Sequence, residues 1–244
     1  MSLRDVIRDV EDRRKTLTVF NPQDGDAFVD DLRSYFERQN VVVRTEETDS
    51  GRPSDFAVLT RGDDVLTSTS ADALAEAMQS TPSGEDGLGV DTSACTDVSN
   101  HLNEATFTAY DIDRMVTASR EIEDRAWRVG EGRLHAGFQY VSVFDGQSEV
   151  YGNLAERPID VHVYATPDED PPSLTGIDVH TESADEIERS WFVVFDGGGQ
   201  DEQKCALLAE ERDVRAFYGF WTYEPATVDR IAGHLERRYV ERLA

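Results

Sequence analysis

Lysine is nearly missing from this 244-residue chain. Lys15 and Lys204 are the only two, and the other 22 of its 24 basic residues are arginine. Fifty acidic residues outweigh them, for a formal charge of −26. An acidic surface almost free of lysine keeps a protein hydrated in concentrated salt, so a halophilic origin is the expectation. Self-repulsion among the carboxylates should then unfold the chain as salt is withdrawn. The same charge repels phosphate backbones, and no basic run or basic–aromatic stripe offers a local exception, which excludes direct nucleic-acid binding. In molar salt the Debye length shrinks to about 3 Å and the long-range part of that argument fades, but the missing basic patch still counts.

Long apolar runs are missing too. The longest are short stretches such as Trp191–Phe195, far below the ~18 residues of a membrane span, so no membrane insertion is expected. Met1-Ser-Leu-Arg-Asp5 is charged from the start and carries no apolar signal segment, which makes a cytoplasmic location the expectation. Two separated cysteines, Cys95 and Cys205, form neither a disulfide framework nor a Cys-x-x-Cys motif.

What remains is patterned. Ser2 is a good helix N-cap with Asp5 at the N3 position, and Leu3, Val6, Ile7 and Val10 make the apolar stripe of a first helix. Thr16–Phe20 reads as a strand, Asp24–Gln39 as a helix and Val41–Glu47 as a second strand. Phe56–Thr60 and Val65–Ser68 make a hairpin about Arg61-Gly62-Asp63-Asp64, and Ala71–Met78 is a helix. These compose an N-terminal α/β region, residues 1–80. Residues 81–102, rich in Ser, Thr, Gly and Asp, read as a linker or long surface loop.

Residues 103–244 are denser in core positions. A helix from Asp111 carries Met115, Ala118, Ile122, Ala126 and Val129; strand Leu134–Tyr140, a helix near Asp145–Ala155 and strand Asp160–Thr166 follow. Then come strand Ile177–Thr181, a short helix Ala184–Arg189, and strands Trp191–Phe195, Cys205–Glu210 and Phe217–Tyr223. A last helix starts at Pro225, a favoured N1 residue. This order indicates an α/β fold, a layered mixed sheet with several antiparallel pairs and flanking helices. Both halves run strand, helix, strand, hairpin, so two related α/β halves are one reading of it.

Few segments carry chemistry. Gly197-Gly-Gly199 before Lys204 lacks the Gly-Lys-Ser/Thr order of a phosphate loop and reads as a flexible hairpin turn. His162 and His180 lie on successive strands and could face one another, but no further ligand is spaced persuasively, so no metal is expected. In Leu134-His-Ala-Gly-Phe-Gln139, alternation puts His135, Gly137 and Gln139 on one strand face, with space above the glycine for a small ligand or a satisfied polar cluster. Ser119 and Glu123, four apart on a helix, flank its apolar stripe and could point into a partly buried pocket; a solvated face is the plainer reading. No Gly-x-Ser-x-Gly elbow exists, and neither Cys95 nor Cys205 sits where a thiolate would be activated. In Phe217-Tyr-Gly-Phe-Trp-Thr-Tyr223 both faces are apolar; core packing is the simpler reading, and a planar ligand over Trp221 the sharper one.

At these segments the sequence resembles the DICT sensory domain in its haloarchaeal stand-alone form. The resemblance rests on Ser119-Arg-Glu-Ile-Glu-Asp-Arg-Ala126, Leu134–Gln139, Trp191-Phe-Val-Val194, Asp196–Arg212 and Phe217–Tyr223, together covering most of residues 103 to 242. It implies a sensor input module. Such domains look to be attached to diguanylate cyclases, two-component proteins and transcription regulators, whereas no output motif is found in this chain. The expectation is therefore a cytoplasmic signal-sensing protein, not an enzyme, that acts in trans in signal transduction or regulation. It would bind a small molecule, a signalling or regulatory protein partner, or both. A pocket lined by Glu123, His135, Gln139, Trp191 and Trp221 is expected, with no cofactor specified and no metal. The alternative is a pure protein–protein adaptor without a ligand.

Overall fold

The structure, a computed structural model, describes residues 1–23, 25–36, 41–80, 104–109 and 112–240. The linker read over 81–102, Cys95 and Leu243 lie outside the described residues. The chain divides into two units: Glu11–Ala105, and a larger one made of Met1–Val10 together with Thr106–Ala244.

In the smaller unit, β1 (Lys15–Phe20) and β2 (Val41–Glu46) pair in parallel and are joined by helix α2 (Gly25–Phe36). Strands β3 (Phe56–Arg61) and β4 (Asp64–Ser70) add an antiparallel hairpin, giving the order β2-β1-β3-β4, and α3 (Ala71–Ser80) follows. Leu17 and Val19 on β1, Ala57 and Leu59 on β3, and Val29, Leu32 and Phe36 on α2 close its core.

Among the described residues the larger unit has seven strands: β5 (Glu104–Ala109), β6 (Gly132–Tyr140), β7 (Ile159–Thr166), β8 (Ile177–Thr181), β9 (Ser190–Phe195), β10 (Cys205–Asp213) and β11 (Ala216–Thr222). Their order is β5-β11-β10-β9-β6-β7-β8. β6, β7 and β8 are parallel neighbours, while β6, β9, β10 and β11 alternate in direction. Both sheets are thus mixed, and the α/β layered architecture expected from the sequence is the one present. Strand β5 was not expected; its Ala-Thr-Phe-Thr-Ala alternation sits beside the polar run of 81–102, which hid it.

Helices cover both faces of the large sheet, and strand alternation sorts the core into two. On one face, α4 (Ile112–Val129), α5 (Val141–Asp145) and α6 (Ser148–Ala155) pack over Leu134, Ala136, Val161, Val163, Val193, Phe195 and Leu207. On the other, α1 (Leu3–Asp12), α7 (Asp185–Glu188) and α8 (Pro225–Leu235) cover Tyr164, Phe192, Val194, Ala206, Leu208 and Phe220. A π-helical turn, Glu236–Val240, extends α8. The first helix, read with residues 1–80, has its stripe of Leu3, Val6, Ile7 and Val10 buried in this second core. The single helix expected near 145–155 is two helices. The chain turns at Gly146-Gln147, and the Ser148 hydroxyl donates to the Asp145 carbonyl at 2.7 Å as the second helix begins.

Candidate functional site

The three-and-four spacing of α4 places Ser119, Ile122, Glu123 and Ala126 against the sheet. Ile122 and Ala126 fill the core, while the polar pair meets a cavity of about 130 Å3. Its walls are Val116, Ser119, Arg120 and Glu123 from α4, Gly137, Phe138 and Gln139 from β6, Val143 from α5, Gln147 and Tyr151 around α6, and Trp191 from β9. Glu123 is only 6% exposed. Its Oε1 accepts from the Tyr151 hydroxyl at 2.7 Å, and its Oε2 pairs with Arg120 at 2.7 Å. Burial raises the Glu123 pKa above the ordinary carboxylate range, and these two donors only partly oppose it. Arg120 also donates to Gln147 Oε1, and the Trp191 indole donates to Ser119 Oγ at 3.2 Å. Gln139 donates to the Glu188 carbonyl and to the Glu211 carboxylate. At the mouth, Val116 and Val143 are exposed apolar side chains.

Residues 93–212 match the family model DICT, described as "Sensory domain in DIguanylate Cyclases and Two-component system". The chain carries a DICT domain. The matched residues span α4 and β6 to β9, so every wall of the cavity is built by the DICT domain itself. DICT domains are sensory modules of signalling proteins. Comparison with curated proteins gave no match. Among solved structures the chain is similar to the crystal structure of polyphosphate kinase from Porphyromonas gingivalis, at 11% identity and a TM-score of 0.36. That likeness covers 96% of this chain and 47% of the other, and it carries no argument about fold or chemistry.

Of the five residues expected to line a pocket, Glu123, Gln139 and Trp191 do so together. Trp221 packs on the same face of the DICT sheet but outside the cavity walls. Beside Gly219, two residues before Trp221 on the same strand, the volume a side chain would take is filled by the Leu208–Ala209 backbone of β10, 2.3 Å from where a β-carbon would stand. His135 is on the opposite face. Gly137 leaves no space there either: the Phe192 ring occupies the volume a side chain would take, 2.1 Å from an ideal β-carbon. Sequence reasoning missed Arg120, Gln147 and Tyr151. Gln147 and Tyr151 reach the site because the chain breaks into two helices at Gly146, while Arg120 comes from α4 beside Ser119.

The face that holds His135 has its own polar cluster. The parallel register sets His135 beside His162 and Tyr164 beside His180, so Arg133, His135, Asp160, His162, Tyr164, Asp178 and His180 project to one side. His162 Nδ1 lies 3.0 Å from His180 Nε2, and His162 Nε2 lies 3.2 Å from Asp160 Oδ2. His135 Nδ1 lies 2.9 Å from the Tyr164 hydroxyl, and its ring stacks on His162 at 5.2 Å. Its Nε2 is 3.8 Å from Glu236, beyond hydrogen-bond reach. Burial, and then the neighbouring His162, lower the His180 pKa below its ordinary value.

Two smaller expectations are also settled locally. The Gly197–Gly199 turn is a tight, specified one: Asp196 Oδ1 accepts from the Gly198 and Arg133 amides at 2.9 Å each. Gly198, at φ 60°, stands where a side chain would meet the Glu131 carbonyl at 2.6 Å. Cys205 is buried on β10, and burial pushes its thiol up to about 12, the reverse of activation.

Proposed function

We propose that the chain is a cytoplasmic signal-sensing protein that acts in trans on a signalling or regulatory partner, and that its DICT domain senses by binding a small molecule in the α4–β6–β9 cavity. The observation that supports this is Glu123, a carboxyl kept buried at the cavity wall although its burial raises its pKa; structural packing alone gains little from such a group. A volume of about 130 Å3 is close to that of the engineered cavity that holds benzene, and below the ~300 Å3 of an ordinary ligand pocket. The ligand, or the part of it that enters, is therefore about the size of one ring. The walls ask it for a donor or positive charge toward Glu123 and a flat face toward Trp191. The reading is of binding rather than catalysis: the Ser119 hydroxyl is taken up as the acceptor of the Trp191 indole, and no histidine or lysine stands among the cavity walls to activate it.

The test is native purification in high salt, followed by an absorption spectrum and mass spectrometry of the denatured supernatant. About one equivalent of a small molecule is expected, and Glu123→Gln should release it. An empty wild-type protein that also gains no thermal stability from a library of ring-sized amines and amides would overturn the reading. Exposed Val116 and Val143 at the mouth favour a second reading, an adaptor whose partner inserts one side chain. Co-purification of a protein lost on Val143→Asp, with no small molecule present, would select it.

A further inference from the structure

The face of the sheet opposite the cavity carries an arrangement that the sensing proposal does not use. Asp160, His162 and Asp178 offer ligand atoms that all lie within 4.8 Å of one another. Asp160 and His162 alternate on β7, and Asp178 stands beside His162 on β8. His180, two residues beyond Asp178, brings its Nε2 to 3.0 Å from His162 Nδ1, and Asp178 Oδ2 is 3.8 Å from the same nitrogen. Both rings are buried, while the two carboxylates reach solvent and leave a path of entry.

Two imidazole nitrogens at 3.0 Å require that one carry the proton and the other a lone pair. Asp160, accepting from His162 Nε2–H, decides which. It leaves His162 Nδ1 as the lone pair, the way an outer carboxylate orients a metal-binding histidine. Nitrogens that share one ion at about 2.0–2.1 Å stand roughly 2.9 Å apart at a right angle and roughly 3.3 Å apart in a tetrahedron. The observed pair falls between these values, so turning the His180 ring opens the gap. The ring stays neutral by moving its proton from Nε2 to Nδ1, so no net proton is released.

We propose that His162 Nδ1, His180 Nε2 and Asp178 bind one divalent transition-metal ion of the zinc, nickel or cobalt class, with Asp160 orienting His162. Imidazole donors suit these ions better than magnesium or calcium, which prefer oxygen. Arg133 pairs with Asp160 at 2.9 Å and keeps that carboxylate turned to its orienting role. The site is separate from the cavity, so either reading can fail without the other.

The test uses the full chain, stripped with a chelator and dialysed into molar sodium chloride, which screens weak binding by the acidic surface. Equilibrium dialysis against Zn2+ should give one ion per chain, not displaced by a hundredfold excess of Mg2+, and Co2+ should give visible absorption bands typical of nitrogen ligation. His180→Phe, which keeps the ring stacked on Tyr164, and Asp178→Asn, at an exposed position, should each weaken binding at least tenfold. His234→Gln, a change to a buried histidine outside the cluster, should leave it unchanged. Absence of stoichiometric binding, displacement by Mg2+, or affinity indifferent to His180→Phe and Asp178→Asn would overturn the proposal.

Discussion

Two glutamates on opposite faces of one sheet, Glu123 buried and Glu186 half-buried, have opposite electrostatics. Glu186, on α7, accepts from the Leu3 amide at 2.7 Å through Oε2, and from His234 Nε2 at 2.8 Å and the Tyr239 hydroxyl at 2.7 Å through Oε1. Its burial raises its pKa, but His234, Leu3 and Tyr239 together outweigh that and leave it below the ordinary value. Glu123, more deeply buried, has one donor on each oxygen and stays above the ordinary value. A saturated carboxylate fastens α1, α7 and α8 together. An under-supplied one beside a cavity has capacity left for a further donor, which is what a binding site needs.

This contrast can be broken in graded ways. Glu186→Ala strands three donors and should cost about 2–4 kcal/mol in urea denaturation, with early hydrogen exchange at the Leu3 amide. Because Glu186 has its pKa lowered from 4.5, its stabilisation is present above that value and lost as pH falls through the folded-state pKa. The penalty of the variant should therefore shrink in acid, and a penalty that is constant with pH would refute the assignment.

Gly137→Ala tests the partition between the two faces. The new methyl must displace the Phe192 ring, so about 1–3 kcal/mol should be lost by overpacking. A neutral result would mean that the ring gives way freely. Glu123→Gln should act in the other direction and stabilise the ligand-free protein by about 1 kcal/mol or less at pH 7. Glu123 has its pKa raised from 4.5, so its favourable contribution holds below that value and is lost as pH rises through the folded-state pKa. The gain from the variant should accordingly vanish near pH 4. Stabilisation that persists there would show that the carboxylate is not the cause. The smallest effect is expected for Ser119→Ala, about 0.5–1.5 kcal/mol from the lost acceptor of the Trp191 indole, with a shift in tryptophan fluorescence.

The order of elements was legible because period and capping are local properties. Pro225 does open α8, and Ile177–Thr181 is a strand as read. Faces were legible as well: Ser119 and Glu123 share one side of α4, and His135 shares a side with Gly137. Which partner covers a face was not, since that is decided by distant chain. Alternation could not tell that Phe192 fills the gap over Gly137, nor that α1 packs on the larger unit instead of the sheet next to it in sequence. Tyr151 and Gln147 escaped for the same reason, because their approach to Glu123 depends on a helix break whose direction only packing sets. The histidine register was readable in outline as two facing rings, but the Asp160 and Asp178 neighbours follow from the parallel pairing of β7 with β8.

The attachment of Leu3 to Glu186 also bears on how this chain can be cut. Because Met1–Val10 belongs with Thr106–Ala244, the smaller unit is an insertion between two pieces of the larger one. A fragment beginning at residue 103 would lose its first helix, and with it the Leu3, Val6, Ile7 and Val10 side chains of the second core, and would leave Glu186 one donor short. A chain in which residue 10 is joined to residue 106 by a flexible linker long enough to span the two positions is expected to keep those contacts. Dissection of the molecule into working parts therefore calls for an excision, not a truncation.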